Sequence, residues 1–370
     1  MKLLNGSLIN SNEIKKNYFG VTMDKLNTII SNTEEVVTEE ELQTILQKTK
    51  PTGYIGFEPS GTVHLGWKIC TNKINDFLKA DFHFTVLLAD WHAYINDKLS
   101  GDIEKIKLCG RYMEHCFAAM GVDISKINFV YASDYVGDPK YWELVLKTSK
   151  SVSVARVKRA MDIMGRDSEE VEKDLSKLFY PAMQVSDIFY LDVDVAYGGT
   201  DQRHAHMLAR DVAKKLSLKS PVAIHTPLLT GLEAGGRMNP LEAKMSKSKP
   251  DSMISIHDDD ESVKRKIKKA YCPEGQVEGN PILEICKFVI FPELNGDIFL
   301  IERPEKFGGN LEFRSYDNLE KEFVEKKLHP LDLKQVTANY INKILAPIHE
   351  YFNNNGEAHD LLNNFGFITR

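Results

Sequence analysis

Little in this chain offers redox or metal chemistry. Its 370 residues include only five cysteines, Cys70, Cys109, Cys116, Cys272 and Cys286. The number is odd and no CxxC spacing occurs, so reduced, mostly buried thiols in a cytosolic, cytoplasmic protein are expected, with no metal site and no bound cofactor implied. No apolar run approaches membrane-spanning length. The N-terminus carries Glu13 beside Lys15 and Lys16 without an apolar core segment, so neither a membrane span nor a signal peptide is expected. A dominant charge is missing too: the net value is −6, and any nucleic-acid surface must be a local patch. What the chain does have is bulk. At 42% hydrophobic, it is long enough for two domains with cores of their own.

The stretch YIGFEPSGTVHLGW, residues 54–67, organises the reading. Tyr54 to Phe57 read as a short buried strand, Pro59-Ser60-Gly61 end it, and an amphipathic helix carrying Leu65, Ile69 and Leu78 follows. A helix start presents unpaired N–H groups and the positive end of a dipole, so this turn suits an anion. Gly61 and Gly66 let a flat ligand approach the backbone. Any first turn of a doubly wound sheet could carry such glycines, so the stretch alone decides little. Far downstream, Lys244-Met245-Ser246-Lys247-Ser248 occupies a Gly/Pro-punctuated loop after an expected strand. Its two lysines and two serines suit a triphosphate.

In chain order, residues 1–33 are rich in Asn, Ser and Lys and show little periodicity, which leaves a mobile extension or a packed arm open; the N-terminal extension is expected to run over 1–37. Thr38, with Glu41 three residues on, predicts a capped helix bearing Leu42, Ile45 and Leu46. Strands are expected at 83–88, 127–131, 193–197 and 221–225, with a long helix from about Asp102 and another over 201–216. Between 135 and 190 the pattern turns helical, which predicts an insertion that splits a Rossmann-like, doubly wound parallel sheet. The fold class expected is α/β. A catalytic domain over 38–255 would be followed by a mainly α-helical C-terminal domain over 256–370, including a helix over 331–345. The tail from Phe352, with Asn353-Asn354-Asn355, reads as a terminal helix with a loop.

PSGTVHLG and KMSKS, in that order and at that separation, resemble the two signature segments of class I aminoacyl-tRNA synthetases. YIGFEPSG, LLADWHAY, YPAMQVSDI, GGTDQRHAHMLAR, KAYCPEGQVEGNPI, RPEKFGG and LHPLDLK narrow the resemblance to the tyrosyl enzymes of the archaeal and eukaryotic kind, over about residues 40–350. The resemblance implies ATP-dependent activation of L-tyrosine and its transfer to tRNA(Tyr), in a homodimer whose interface lies in the helical insertion. ATP with Mg²⁺ would be a substrate complex. One departure stands out: Trp67 occupies a position where the signature often has a second histidine.

Such activation needs no protein nucleophile. Holding both reactants in attack geometry removes roughly 7 to 11 kcal/mol of barrier, and fixed positive groups stabilise the charge developing on the phosphates. By the resemblance, His64, Lys244 and Lys247 serve catalysis, and Ser60, Gly61, His64, Gly66, Asp201, Lys244, Met245, Ser246, Lys247 and Ser248 bind ATP. Asp201 would contact ribose; a helix N-cap is its ordinary alternative. Rejecting phenylalanine requires buried partners for the phenol hydroxyl, and the resemblance gives this to Tyr54 and Asp187. Tyr180, Gln184 and Asp187 are spaced i, i+4, i+7 and share a face if helical. Tyr180, Gln184 and Gln202 would take the ammonium, Gly56 and Glu58 would form the cradle, and Leu87 and His92 would line the ring.

For tRNA, the resemblance implies Arg159 and Arg203 at the acceptor end, and Phe307, His329 and Asp332 at the anticodon. The cluster Lys264-Arg265-Lys266 with Lys268-Lys269 reads as a solvated helix face or a backbone-tracking surface. A tryptophanyl enzyme and a non-catalytic tRNA-binding relative are the alternatives.

Overall fold

The structure is a computed structural model; the residues it describes are 22–161, 174–233, 245 and 250–364. They fall into two compact units. The first comprises the chain up to Phe57, Lys73–Asn96 and Asp123–Pro227; the second comprises Glu58–Asn72, Asp97–Val122 and the chain from Leu228.

A six-stranded sheet forms the first unit. Its strands are β1 (Glu35–Val37), β2 (Thr52–Phe57), β3 (His83–Leu88), β4 (Ile127–Tyr131), β5 (Val195–Gly199) and β6 (Val222–Thr226), in the order β1-β6-β5-β2-β3-β4. All pairs are parallel except β1–β6. Strands β3 and β4 occupy the ranges their β-branched and aromatic residues predict, while β5 and β6 start later by two residues and one. β1 lies in the stretch read as an extension or arm. At three residues it is too short to show periodicity, and it closes an edge that would otherwise be unpaired.

α-Helices of five residues or more occur in both units. In chain order they are α1 (22–30), α2 (Glu39–Ile45), α3 (Trp67–Lys79), α4 (Asp90–Ile95), α5 (Ile103–Ala119), α6 (Pro139–Ser151) and α7 (Val154–Ala160). There follow α8 (Ser176–Tyr190), α9 (Arg203–Leu216), α10 (Asp260–Lys269), α11 (Pro281–Ile285), α12 (Tyr316–Val324), α13 (Pro330–Asn354) and α14 (Gly356–Asn364). Thr38 caps α2 with the expected reciprocal Glu41 bond, and Asp102 caps α5. Among its described residues the insertion between β4 and β5 is helical, as its pattern predicts, with α6, α7 and α8.

The strand order turns at β2, which neighbours both β3 and β5. β2 pairs with β3 along all six residues but with β5 only at Gly53–Val195 and Tyr54–Ala196. Beyond Tyr54 the two strands part at their carboxyl ends, which is where open α/β sheets bind ligands. The core under this crevice is one cluster containing Tyr54, Leu87, Tyr135, Tyr141, Met183 and Val185.

In the second unit, Val63–Leu65 run antiparallel to Ile254–Ile256. Leu65 donates its N–H to Ile254 O at 2.8 Å, Ile256 donates to Val63 O at 3.1 Å, and His64 faces Ser255. The chain after 256 is mainly helical, with one antiparallel pair, β7 (Phe299–Ile301) and β8 (Leu311–Phe313). α13 runs from Pro330 to Asn354, longer than the expected 331–345, because Ile348 and Phe352 continue its buried face. Among the described residues no helix is long and apolar enough to cross a membrane.

Candidate active site

Asp187 is buried at 1% exposure on α8. A carboxylate there is tolerable only with partners. It has them: Tyr135 and Tyr141 both donate their hydroxyls to Oδ1, at 2.8 and 2.9 Å. His92 Nε2 stands 3.0 Å from Oδ2, close enough for an ion pair but not aligned as a hydrogen bond. Burial, and after it the charge of Asp187, pushes the Tyr54 phenol well above its usual value. Tyr135 and Tyr141 shift upward for the same two reasons, burial first. All three phenols therefore stay protonated, as Tyr135 and Tyr141 must to donate to a carboxylate.

Around this cage, within the first unit, stand other residues expected to hold an amino acid. On the same face of β2 as Tyr54 lies Gly56, where an added Cβ would sit 3.7 Å from the Tyr54 ring and 3.9 Å from Leu87. His92 meets Tyr180 edge-on, with ring centres 5.1 Å apart. α8 does place Tyr180, Gln184 and Asp187 within one helix. Gln184 donates from Nε2 to Gln202 Oε1 at 3.0 Å, while its own Oε1 is buried and accepts nothing among the described residues. An orphan acceptor of that kind calls for a donor. Gln202 ends a 3₁₀ turn, Thr200–Gln202, and this turn delays α9 to Arg203. Asp201 is therefore not the N-cap of α9; that position is Gln202.

In the second unit the first signature loop is braced from α5. Gly61 adopts φ +122°, a conformation that favours glycine, and donates its N–H to Cys109 Sγ at 3.3 Å. Tyr112 Oη lies 2.7 Å from His257 Nε2, and burial pushes His257 down to about 4. Glu58 pairs with Lys98 at 3.5 Å, and Ser60 Oγ donates to Glu58 O. His64 precedes the helix by three residues and is not part of its first turn. Its Nδ1 accepts the Gly66 N–H at 3.2 Å, which leaves the ring proton on Nε2. A Cβ on Gly66 would fall 2.9 Å from His64 Cε1, so only glycine seats this ring.

Lys244, Ser246, Lys247 and Ser248 lie outside the described residues. Met245 between them is buried and donates its N–H to Leu229 O at 2.6 Å. Leu229 in turn reaches within 3.9 Å of the position of a Gly66 Cβ. The base of the loop is held at Thr230, whose N–H and hydroxyl both donate to Glu284, at 2.7 and 3.0 Å.

A family model described as tRNA synthetases class I (W and Y) matches residues 18–346. The chain belongs to the class I tRNA synthetases. Within that family it is 53% identical over 349 residues to a tyrosine–tRNA ligase of Sulfolobus acidocaldarius, covering 92% of this chain and 96% of that one. A solved tyrosyl-tRNA synthetase from Aeropyrum pernix superposes with a TM-score of 0.83 at 43% identity, covering 93% of this chain and 98% of that one. One from Archaeoglobus fulgidus, complexed with L-tyrosine, gives 0.81 at 44%, covering 89% and 99%. A Plasmodium falciparum tryptophanyl-tRNA synthetase, at 16% identity and a TM-score of 0.66, shares the fold.

Of the residues expected to meet tRNA, Arg159, Arg203 and His329 are exposed. Arg159 is exposed on α7. Arg203, half exposed at the start of α9, is gripped by Glu35. His329 is the N-cap of α13, its Nδ1 accepting from Leu331 N, and Asp332 stands 4.0 Å from Arg303. Phe307 ends a 3₁₀ turn; its side chain lies outside the described residues. In the basic helix α10, Lys264 pairs with Glu261, Arg265 with Asp251 and the buried Lys266 with Asp258, so much of that charge is locally neutralised. Tyr135, Tyr141, Tyr112, His257 and Glu284 escaped the sequence reading, and Cys109 entered it only as a thiol. None belongs to a recognisable spacing, and each contributes by crossing between elements distant in sequence.

Proposed function

We propose that this synthetase activates L-tyrosine with ATP and transfers the tyrosyl group to tRNA(Tyr). The substrate carboxylate attacks the α-phosphorus. An O–P bond forms as the bond to pyrophosphate breaks, giving tyrosyl-adenylate. A hydroxyl of the terminal tRNA ribose then attacks the acyl carbon and loses its proton, and AMP departs. The chain's part is to position and to neutralise.

The observation that carries the substrate assignment is the buried Asp187 carboxylate, fixed by two phenols on Oδ1 beside Tyr54 and His92. A phenol hydroxyl donated to this group is rewarded, and phenylalanine would leave it short of a partner. A tryptophan-specific enzyme has no evident use for it. Tyr180, Gln184 through its orphan Oε1, and Gln202 take the substrate ammonium; Gly56 and Glu58 form the cradle, with Leu87 against the ring. His64, with its proton on Nε2, donates to a phosphate, joined by Lys244 and Lys247. Ser60, Gly61, Gly66, Asp201, Met245, Ser246 and Ser248 complete the nucleotide site. Mg²⁺ arrives with ATP as part of the substrate. Arg159 and Arg203 contact the acceptor end, and Phe307, His329 and Asp332 the anticodon.

The working form is a cytoplasmic homodimer. Trp142, Leu146, Val154 and Leu175, all in the helical insertion, are exposed at 39, 62, 64 and 70%, an apolar surface of the kind a symmetric partner covers. The test of function is ATP–pyrophosphate exchange. It should be stimulated by tyrosine and not by tryptophan or phenylalanine; exchange that depends on tryptophan, or none at all, overturns the assignment.

A further inference from the structure

The short strand β1 brings one carboxylate to an arginine that would otherwise swing in solvent. Glu35 takes Arg203 side-on: Nε donates to Oε2 at 2.8 Å and to Oε1 at 3.1 Å, and Nη2 donates to Oε1 at 2.9 Å. Of the five guanidinium hydrogens, this grip leaves both on Nη1 and the second on Nη2 pointing away from Glu35.

Glu35 is itself held from behind. It faces His225 in the β1–β6 register, and His225 Nδ1 lies 3.0 Å from Glu35 Oε2. On its other side His225 Nε2 lies 3.0 Å from His206 Nδ1. Both rings are buried. Burial lowers both their pKa values, that of His206 to about 3, so both are neutral near pH 7. A carboxylate only accepts, so His225 carries its proton on Nδ1. Its Nε2 must then accept from His206 Nδ1–H. Every donor in this row points toward Glu35, and the row ends on Arg203. The Arg203 hydrogen bonds are the main reason the Glu35 carboxyl sits below its usual range.

We propose that Glu35 is a positioning residue for tRNA charging. It fixes the Arg203 guanidinium so that its Nη1 edge is presented to the acceptor end of tRNA before the RNA arrives. This rests on the reading of Arg203 as an acceptor-end contact. An arginine side chain has much rotamer freedom to lose on binding, and a bidentate carboxylate removes it in advance. The pair is nearly neutral, so Arg203 supplies orientation and hydrogen bonds more than a long-range pull on phosphate.

The test compares Glu35→Gln, Arg203→Ala and the double variant in two assays, ATP–pyrophosphate exchange without tRNA and aminoacylation with tRNA varied. Glu35→Gln should raise the KM for tRNA about tenfold while its exchange rate stays within about twofold of the parent. The double variant should charge no worse than Arg203→Ala alone, because the two residues act as one unit. Glu35→Asp keeps the charge but withdraws it by a methylene, and should lie between parent and Gln variant; it carries the comparison if the Gln variant does not fold. Equal losses in exchange and charging would make Glu35 merely structural and overturn the proposal. Unchanged charging by Glu35→Gln beside impaired charging by Arg203→Ala would overturn it and leave the reading of Arg203 standing. Unchanged charging by Arg203→Ala would remove that reading, and the proposal with it.

Discussion

The hydroxyl of Tyr141 stands 2.9 Å from Oδ1 of Asp187, on the oxygen that Tyr135 reaches from 2.8 Å. Tyr141 comes from α6 and Tyr135 from the turn before it, while Asp187 belongs to α8. Two donors from one side leave the carboxylate a single orientation, with Oδ2 turned toward His92.

That orientation has a measurable worth. Tyr141→Phe removes one hydrogen bond to a charged acceptor, about 1.5 to 3 kcal/mol. The kcat/KM for tyrosine in exchange should fall by about 10- to 100-fold, with the KM for ATP little changed. Tyr135→Phe should act alike. Parallel losses in tyrosine and ATP would mean that the bond supports the fold and not the pocket.

Gly66 is predicted to matter through His64. In Gly66→Ala the new Cβ would lie 2.9 Å from His64 Cε1, and the imidazole, being the end of a mobile side chain, must move. Its Nδ1 would then lose the Gly66 N–H. Activation should slow by roughly tenfold, while tyrosine affinity, measured by equilibrium titration, stays put. An unimpaired exchange rate would show that the seating of His64 is irrelevant to the phosphates.

Much of this was legible in the sequence because it is local. Strands β3 and β4, the Thr38 capping box and the Tyr180–Gln184–Asp187 face each depend on spacings within a few residues. The cage around Asp187 was only half visible. Tyr54 and Asp187 belong to words that resemble a family, but Tyr135 and Tyr141 enter by the packing of α6 on α8, which no local pattern encodes. β1 was lost for a different reason: three residues carry no period, and the strand exists because β6 offers it an edge. The expectation that the helix carries Leu65 differs from the structure by two residues. His64 faces Ser255, and the helix waits until Trp67.

Glu284 offers a test by pH. Burial raises its carboxyl pKa above the usual value near 4.5, and the two Thr230 bonds offset this only in part. The folded chain then keeps a proton where the unfolded chain has lost it. Its contribution to stability is therefore full below about pH 4.5 and is lost as the pH rises through the folded value. Glu284→Gln, which cannot ionise, should gain in urea midpoint relative to the parent on going from pH 4.5 to pH 7. A difference that does not vary with pH would contradict the raised value.

The apolar face of the insertion predicts assembly. Leu146 is 62% exposed on α6, and Leu146→Glu would place a charge on the surface proposed for the partner subunit. Sedimentation should show a dimer for the parent and a shift toward monomer for the variant. A parent that sediments as a monomer at micromolar concentration would remove the dimer from the account.

The most direct test of the whole reading is the ratio of kcat/KM for tyrosine to that for phenylalanine in ATP–pyrophosphate exchange, measured for the parent and for Asp187→Ala. The account predicts a large ratio in the parent that collapses in the variant through loss of tyrosine, while the KM for ATP stays within a few-fold. A variant that keeps the parent's ratio would contradict the claim that this buried carboxylate reads the phenol.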